Sequence, residues 1–346
     1  MKHLQDLKHT DPNYDWLNNV PEAITKQAMK DLLKAYQRFY KDRKKSKTND
    51  FDKYKPKYKK KGKCEESFYQ RTDNIHKTDD THIKITGIKI PVKCKNLKGI
   101  ELPEHIQNPR VKFDGKYWYL TYAYEIQQEC IEQFDIATLG VDLGIKDLAI
   151  LSNGKHHRNI NKDKRVKTLR KRLAHIQRQI LRKYENNVEV NSQGKKIFHK
   201  TKNIEKLEQQ ERLLYRKISN IQKTYMYEVI KDVVRTKPQT IVIEDLNVKG
   251  MLQNPKLARA IQEENLSRFR QILSYKCERY GINLVVANRY YPSSKRCSCC
   301  GNIKHNLKLS DRIYKCDACN LEIDRDENAA LNLENYPKIK YKSTVA

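Results

Sequence analysis

"TLGVDLGIKDLAILSNG" (Thr138–Gly154) carries two short apolar runs on either side of Gly144. The pattern predicts a strand, a turn and a second strand, with Asp142 at the end of the first run. Two further apolar runs have the same character. "QTIVIEDLNVKG" predicts a buried strand over 240–243 that ends in Glu244 and Asp245, and "INLVVANR" predicts another after it. Buried strands ending in acids and separated by helical stretches predict an α/β fold.

The intervening segments carry helical spacing. Val166, Leu169, Leu173, Ile176 and Ile180 step by three and four, as do Leu214, Ile218, Ile221 and Tyr225. With the loop-like "NNVEVNSQGKKIF" between them, they predict an antiparallel helical hairpin over 162–236. Arg165, Lys167, Arg170, Lys171, Arg178 and Arg182 are assigned to its outer positions, a solvated face by default or, in this basic context, one that tracks a nucleic-acid backbone. "NPKLARAIQEENLSRFRQILSYKCERYG" predicts one long helix stopped by Gly281.

Before Thr138 the chain changes character. Pro21 opens a helix whose Ile24, Ala28, Leu32, Tyr36 and Phe39 share one face, expected to pack inward. The lysine-rich stretch 41–63, with Phe51, Tyr54 and Tyr58, predicts a solvated linker that can order on nucleic acid. From 81 to 126 the period becomes two, with an Asp114-Gly115 turn between strand-like runs. A small antiparallel β-barrel or sheet is expected, its aromatics mostly in core and cross-strand packing.

Lys and Arg number 71 against 42 Asp and Glu, a formal net charge of +29. That excess favours a polyanionic partner such as nucleic acid. No apolar run is long enough to span a bilayer and Met1 does not open a signal sequence, so a cytoplasmic protein without a membrane partner is expected. Nine scattered cysteines do not form a secreted disulfide framework.

Four of those cysteines do carry a pattern. Cys297 and Cys300, then Cys316 and Cys319, form two CxxC pairs with 301–315 between them. The spacing predicts a zinc ribbon with a closed, structural tetrathiolate site. Cys299 leaves the register of the first pair open against Cys300. Asp324 and Asp326 follow directly, before "ENAALNL", a helix with Ala329, Ala330 and Leu333 facing inward. Taken singly, any of these acids reads as a turn or cap residue. Together, Asp142, Glu244 and an acid at a helix start can converge on two Mg²⁺ ions, which activate water and stabilise the leaving oxygen in phosphodiester hydrolysis.

In this order, "GVDLGIKDLAILSNG", "IVIEDLNVKGM", "YYPSSKRCSCCG" and "IDRDENAALNL" resemble the TnpB proteins of bacterial and archaeal insertion sequences, relatives of the type V CRISPR effectors. The resemblance runs from about Trp16 to Tyr336. It implies an RNase H-like (RuvC-type) nuclease domain with a zinc-ribbon insertion, preceded by a helical segment and an oligonucleotide-handling β-barrel. It also implies a transposon-derived guide RNA, a double-stranded DNA target and Mg²⁺-dependent endodeoxyribonuclease activity. Carried over by motif, Asp142, Glu244 and Asp326 would be the catalytic, magnesium-binding triad. Asp326 is preferred to Asp324 by its place before Glu327 and Asn328. Cys297, Cys300, Cys316 and Cys319 match the family's structural zinc ligands.

The resulting map places a partial helical domain and basic arm at 1–63, a barrel at 64–135 and the nuclease domain at 136–290. The ribbon follows at 291–323 and the last nuclease segment at 324–346. The chain opens at a point that resembles the inside of the family's helical domain, so an N-terminally shortened member is expected. A separate transposase encoded nearby is a further expected partner. Two competing readings are a nucleic-acid-binding protein without cleavage (a guide-directed repressor or a truncated, inactive remnant) and a transposase or accessory factor in DNA transposition.

Overall fold

The computed structural model describes residues 2–45, 55–58, 66–73, 75–129, 131, 133–308 and 310–344. They fall into two units, Met1–Ile126 and Gln127–Ala346. Most of the lysine-rich arm, with Phe51 and Tyr54, lies outside the described residues, as do Cys64 and Cys130.

The first unit contains α1 (Lys2–Thr10), a 3-10 helix (Pro12–Asn19) and α2 (Glu22–Lys45). The strands are β1 (Glu66–Tyr69), β2 (His76–Lys77), β3 (His82–Lys84), β4 (Val92–Lys93), β5 (Gln107–Phe113) and β6 (Trp118–Ala123). The expected barrel is not closed among the described residues. The strands instead form two antiparallel three-stranded sheets, β1-β5-β6 and β2-β3-β4. Ile83 of β3 and Val111 of β5 share one small core with Ile75, Ile85 and Leu97. Strands of two or three residues cannot supply the continuous ladder that closure requires.

The Asp114 turn forms as expected: its carboxylate accepts the backbone N–H groups of Lys116 (3.0 Å) and Tyr117 (2.8 Å). Leu120 packs on the core, but Trp118 is 57% exposed and stacks on Phe113 with ring centroids 4.9 Å apart. The α2 stripe also departs from its expected burial. Ile24, Tyr36 and Phe39 are half-buried, whereas Ala28 is exposed and Leu32 is 55% exposed. Asp31 on this helix instead pairs with Arg110 of β5 at 2.8 Å.

The second unit is built on β7 (Ile136–Leu143), β8 (Asp147–Leu151), β9 (His156–Arg158), β12 (Pro238–Glu244) and β13 (Asn283–Ala287). Their order is β13-β12-β7-β8-β9. The strands β13, β12 and β7 pair in parallel, β8 pairs antiparallel with β7, and β9 pairs antiparallel with β8. Between β9 and β12 rises the hairpin of α3 (Lys164–Glu185) and α4 (Lys202–Arg235). The expected loop between these helices is a two-stranded hairpin of β10 (Val188–Val190) and β11 (Lys196–Phe198).

Two short helices, α5 (Val248–Met251) and α6 (Pro255–Glu264), precede α7 (Leu266–Tyr280). The expected single helix is therefore interrupted, because Asn265 adopts a left-handed conformation with φ 57°. Gly281 ends α7 as expected, with φ 69°. Arg170 also departs from its expected solvated face: it pairs with Glu263 and donates to Asn161 at 2.8 Å.

Alternation divides the sheet into two faces. Leu139, Val141, Ile241 and Ile243 bury against α4 and α7, in a core with Met226, Ile230, Phe269 and Leu273. The opposite face carries Gly140, Asp142, Val242 and Glu244, and it packs on α8 (Arg325–Thr344) through Leu333. At Gly140 the fit leaves no space for a side chain, because a Cβ there would collide with the carbonyl oxygen of Ala330. A ribbon with β14 (Ile313–Lys315) and β15 (Glu322–Asp324) joins β13 to α8. No helix among the described residues is long and apolar enough to cross a membrane.

Candidate functional site

Two parallel strands bring the first two acids together. Ile243 lies opposite Val141 in the β12–β7 ladder, so the next pair along is Glu244 and Asp142. Residues opposite each other in a ladder share a face, and here it is the face covered by α8. Asp326 arrives from the first turn of α8. All three carboxylates are half-buried.

Burial, followed by the charges of Glu244 and Asp326, pushes the Asp142 carboxyl well above its ordinary value of 3.8. Burial also raises Glu244, partly opposed by a hydrogen bond from the Ser293 hydroxyl. Like charges gathered in a partly desolvated site hold protons unless a cation neutralises them.

The two aspartates before α8 have different partners. Asp324 Oδ1 accepts the backbone N–H groups of Asp326 (2.8 Å) and Glu327 (3.3 Å), so Asp324 caps the helix. Asp326 Oδ1 instead accepts from Arg325 Nη2 at 2.9 Å, and its other oxygen lies 3.8 Å from Arg312 Nη1 on the ribbon. Beside it, Glu327 meets His156 of β9 at 2.8 Å. Asp245 points elsewhere: Arg270 and Arg289 hold it, and their hydrogen bonds keep its carboxyl below the ordinary range.

The cysteines form the second centre. Sγ atoms of Cys297, Cys300, Cys316 and Cys319 lie within 4.8 Å of one another. Cys297 and Cys319 are 3.6 Å apart, and Cys300 and Cys316 are 3.5 Å apart. A tetrahedron of sulfurs about 2.3 Å from zinc has edges of about 3.8 Å, so the set fits a structural zinc. Cys299 is exposed and stands outside the cluster, so Cys300 fills the fourth position.

Both CxxC turns have one design. Gly301 N donates to Cys297 O at 3.0 Å, and Asn320 N donates to Cys316 O at 3.1 Å. Gly301 and Asn320 both have positive φ, 80° and 60°. Beneath the cluster, fully buried Tyr314 has its hydroxyl pushed up to about 12 by burial and by neighbouring cysteines.

Among the described residues, only the four cysteines bring three or more such ligand atoms within 4.8 Å of one another. The acids stand further apart, with Glu244 held by Ser293 and Asp326 by Arg325. Hard carboxylate oxygens around a partly desolvated centre suit Mg²⁺, as soft thiolates suit zinc.

Sequence reasoning missed the polar groups that bind the two centres into one body. Asn328 and Asn332, 0% and 2% exposed, reach from α8 to the ribbon. Asn332 Nδ2 donates to Ser293 O at 2.9 Å and Arg296 O at 2.6 Å, while Ser293 holds Glu244. The only signal was their placement four residues apart on a helix that also carries Asp326.

Two regions of the chain match known families. Residues 121–255 match OrfB_IS605, described as "Probable transposase", and residues 267–333 match the "Cas12f1-like, TNB domain". A Streptomyces pristinaespiralis protein named "Putative RNA-guided DNA endonuclease" is 35% identical over 197 residues, which are 57% of this chain and 44% of that protein. The chain thus spans less than half the length of that relative. InsQ of Escherichia coli strain K12, given the same description, is 26% identical over 335 residues, 92% of this chain and 75% of that protein. The solved Cas12f1-sgRNA-target DNA complex aligns with a TM-score of 0.41 and 19% identity, covering 66% of this chain and 56% of that one. Bearing both matched regions around the acid and cysteine centres, the chain belongs to the TnpB/OrfB_IS605 family and carries a Cas12f-like TNB zinc domain.

Proposed function

We propose that the chain is an RNA-guided, divalent-metal-dependent DNA endonuclease of transposon origin, with an RNase H-like (RuvC-type) nuclease unit interrupted by the zinc ribbon. The observation that carries this reading is the convergence of Asp142, Glu244 and Asp326 from β7, β12 and α8 on one sheet face. Acids at parallel strand ends also fit the general rule that open α/β sheets work at the carboxyl ends of their strands.

In this reading the three carboxylates hold Mg²⁺, which when bound supplies an activated water and a stabilised leaving oxygen for phosphodiester hydrolysis. Ser293 fixes one oxygen of Glu244, and Arg325 orients Asp326. Lys146, 3.9 Å from Asp324, adds a cation at the rim for a substrate phosphate. The four thiolates close their coordination sphere, so the zinc stiffens the chain entering Asp326 and takes no part in the reaction.

Partners follow from charge and kinship. A net charge of +29 suits a nucleic-acid complex, and the relatives carry the name "Putative RNA-guided DNA endonuclease". The ligands are a guide RNA from the transposon end and a double-stranded DNA target. In the same reading the nuclease unit spans 136–290 and the ribbon 291–323.

The test is co-expression with the transposon-end RNA, purification of the loaded complex, and incubation with matched plasmid and Mg²⁺. Cleavage that Asp142→Ala abolishes is expected. An intact plasmid despite a folded, RNA-loaded protein overturns the reading.

A further inference from the structure

A cleft of about 600 Å³ opens at the carboxyl ends of β7 and β12, and Glu244 is one of its walls. Its opposite wall is α7. Ser267, Arg270, Gln271 and Ser274 all line the cleft, and their spacing of three, one and three puts them on one helical face. The other face of α7, with Leu266, Phe269, Leu273 and Cys277, is buried in the sheet core. The small side chains of Ser267 and Ser274 keep the cleft open on either side of Arg270.

Two guanidinium groups from separate elements meet at its mouth. Arg270 Nη1 lies 3.0 Å from Asp245 Oδ1, and Arg289, from the segment after β13, places Nη2 2.8 Å from Asp245 Oδ2. One carboxylate therefore holds both arginines, one on each oxygen. A guanidinium carries five N–H donors, and Asp245 takes one from each arginine. The trio keeps one net positive charge beside the acids.

We propose that this cleft is a phosphate-binding subsite for a single DNA strand, with Arg270 and Arg289 as the phosphate ligands and Asp245 as the residue that positions them. The inference deepens the nuclease reading and rests on it for the direction of the strand, which passes Glu244. Planar forks suit phosphate oxygens, and arginines held in place before binding lose less freedom when they bind. A strand approaching clustered carboxylates needs fixed cations at its backbone to offset their repulsion. Leu246 and Val248, both half-buried, add apolar lining for sugar and base.

Asp245 makes the proposal testable, because its two possible roles have opposite signs. If the arginines act only as diffuse charge, Asp245→Asn removes a negative charge and tightens DNA binding. If Asp245 positions them, the same change weakens it. Fluorescence anisotropy of the full chain with labelled octathymidylate, in Mg²⁺-free buffer across a salt series, reads this directly.

The double variant Arg270→Ala/Arg289→Ala is expected to bind roughly fivefold more weakly, with the salt slope reduced by about 1.4 for two lost phosphate contacts on a single strand. Asp245→Asn is expected to weaken binding, and Arg270→Lys/Arg289→Lys to fall between wild type and the alanine pair. Unchanged thermal melting in the lysine pair shows that loss of the fork, not of the fold, is responsible. Tighter binding by Asp245→Asn, or an unchanged slope in the alanine pair, overturns the proposal. These readouts need no cleavage. Failure of guided cutting with the expected binding pattern therefore sinks the nuclease reading while leaving the subsite in place.

Discussion

Asn328, two residues beyond Asp326, hydrogen-bonds both neighbours of Cys297. Its Oδ1 accepts from Ser298 N at 2.9 Å, and its Nδ2 donates to Arg296 O at 2.7 Å. One side chain on the acid-bearing helix thus grips the first CxxC turn of the ribbon. Replacing it leaves the half-buried Ser298 N–H without that acceptor. Asn328→Ala is expected to cost about 2 kcal/mol of unfolding free energy, read by urea denaturation. It is also expected to weaken the Mg²⁺ dependence of cleavage while zinc content stays at one per chain.

Removing the zinc should act through the same contacts. Cys300→Ser is expected to lower zinc stoichiometry and Mg²⁺ response together, whereas Cys299→Ser changes neither, since Cys299 stands outside the cluster. Atomic absorption on the two purified variants checks the first half. Zinc loss in Cys299→Ser with none in Cys300→Ser would reverse the register of the first pair.

The acid centre carries a pH signature. Folding raises the Asp142 pKa above 3.8, so between that value and the raised one the native state holds the extra proton. Native stability contributed by this group therefore falls as pH rises through that window, and is lost above the raised value. Asp142→Asn removes the penalty. In Mg²⁺-free buffer it is expected to raise the melting temperature at pH 7 relative to wild type, with the gap closing towards pH 4. A gap that widens on acidification contradicts the assignment of burial and like charge as the cause.

Gly140 sets the spacing of β7 and α8. A methyl group there meets the Ala330 carbonyl, so Gly140→Ala must push the helix away from the sheet. An overpacking cost of about 1–3 kcal/mol is expected in denaturant melts. Because α8 carries Asp326, activity should fall by more than the lost stability explains.

Much of this centre was legible in the chain. The apolar runs ending at Asp142 and Glu244 identify buried strands because burial on both faces needs an unbroken apolar stretch. The CxxC pairs identify a metal site because four thiolates must meet in one tetrahedron. The break at Asn265 was not legible, since helical spacing continues across it and only the backbone turns. Nor was barrel closure: alternation tells which face a residue takes and not which strand it pairs with. Arg170 reads as surface because its partner Glu263 is remote in sequence. Ser293 has no local pattern, and the spacing of Asn328 and Asn332 does not reveal what they bond, since a buried polar side chain is recognised only by the partners that satisfy it.

The most direct test of the central claim is anomalous diffraction from crystals of the full chain grown with zinc and soaked in Mn²⁺, with data collected at both metal edges. Zinc is expected only at Cys297, Cys300, Cys316 and Cys319, and manganese among Asp142, Glu244 and Asp326. Zinc at the cysteines with no manganese at the carboxylates, under conditions that saturate the soak, would contradict that claim.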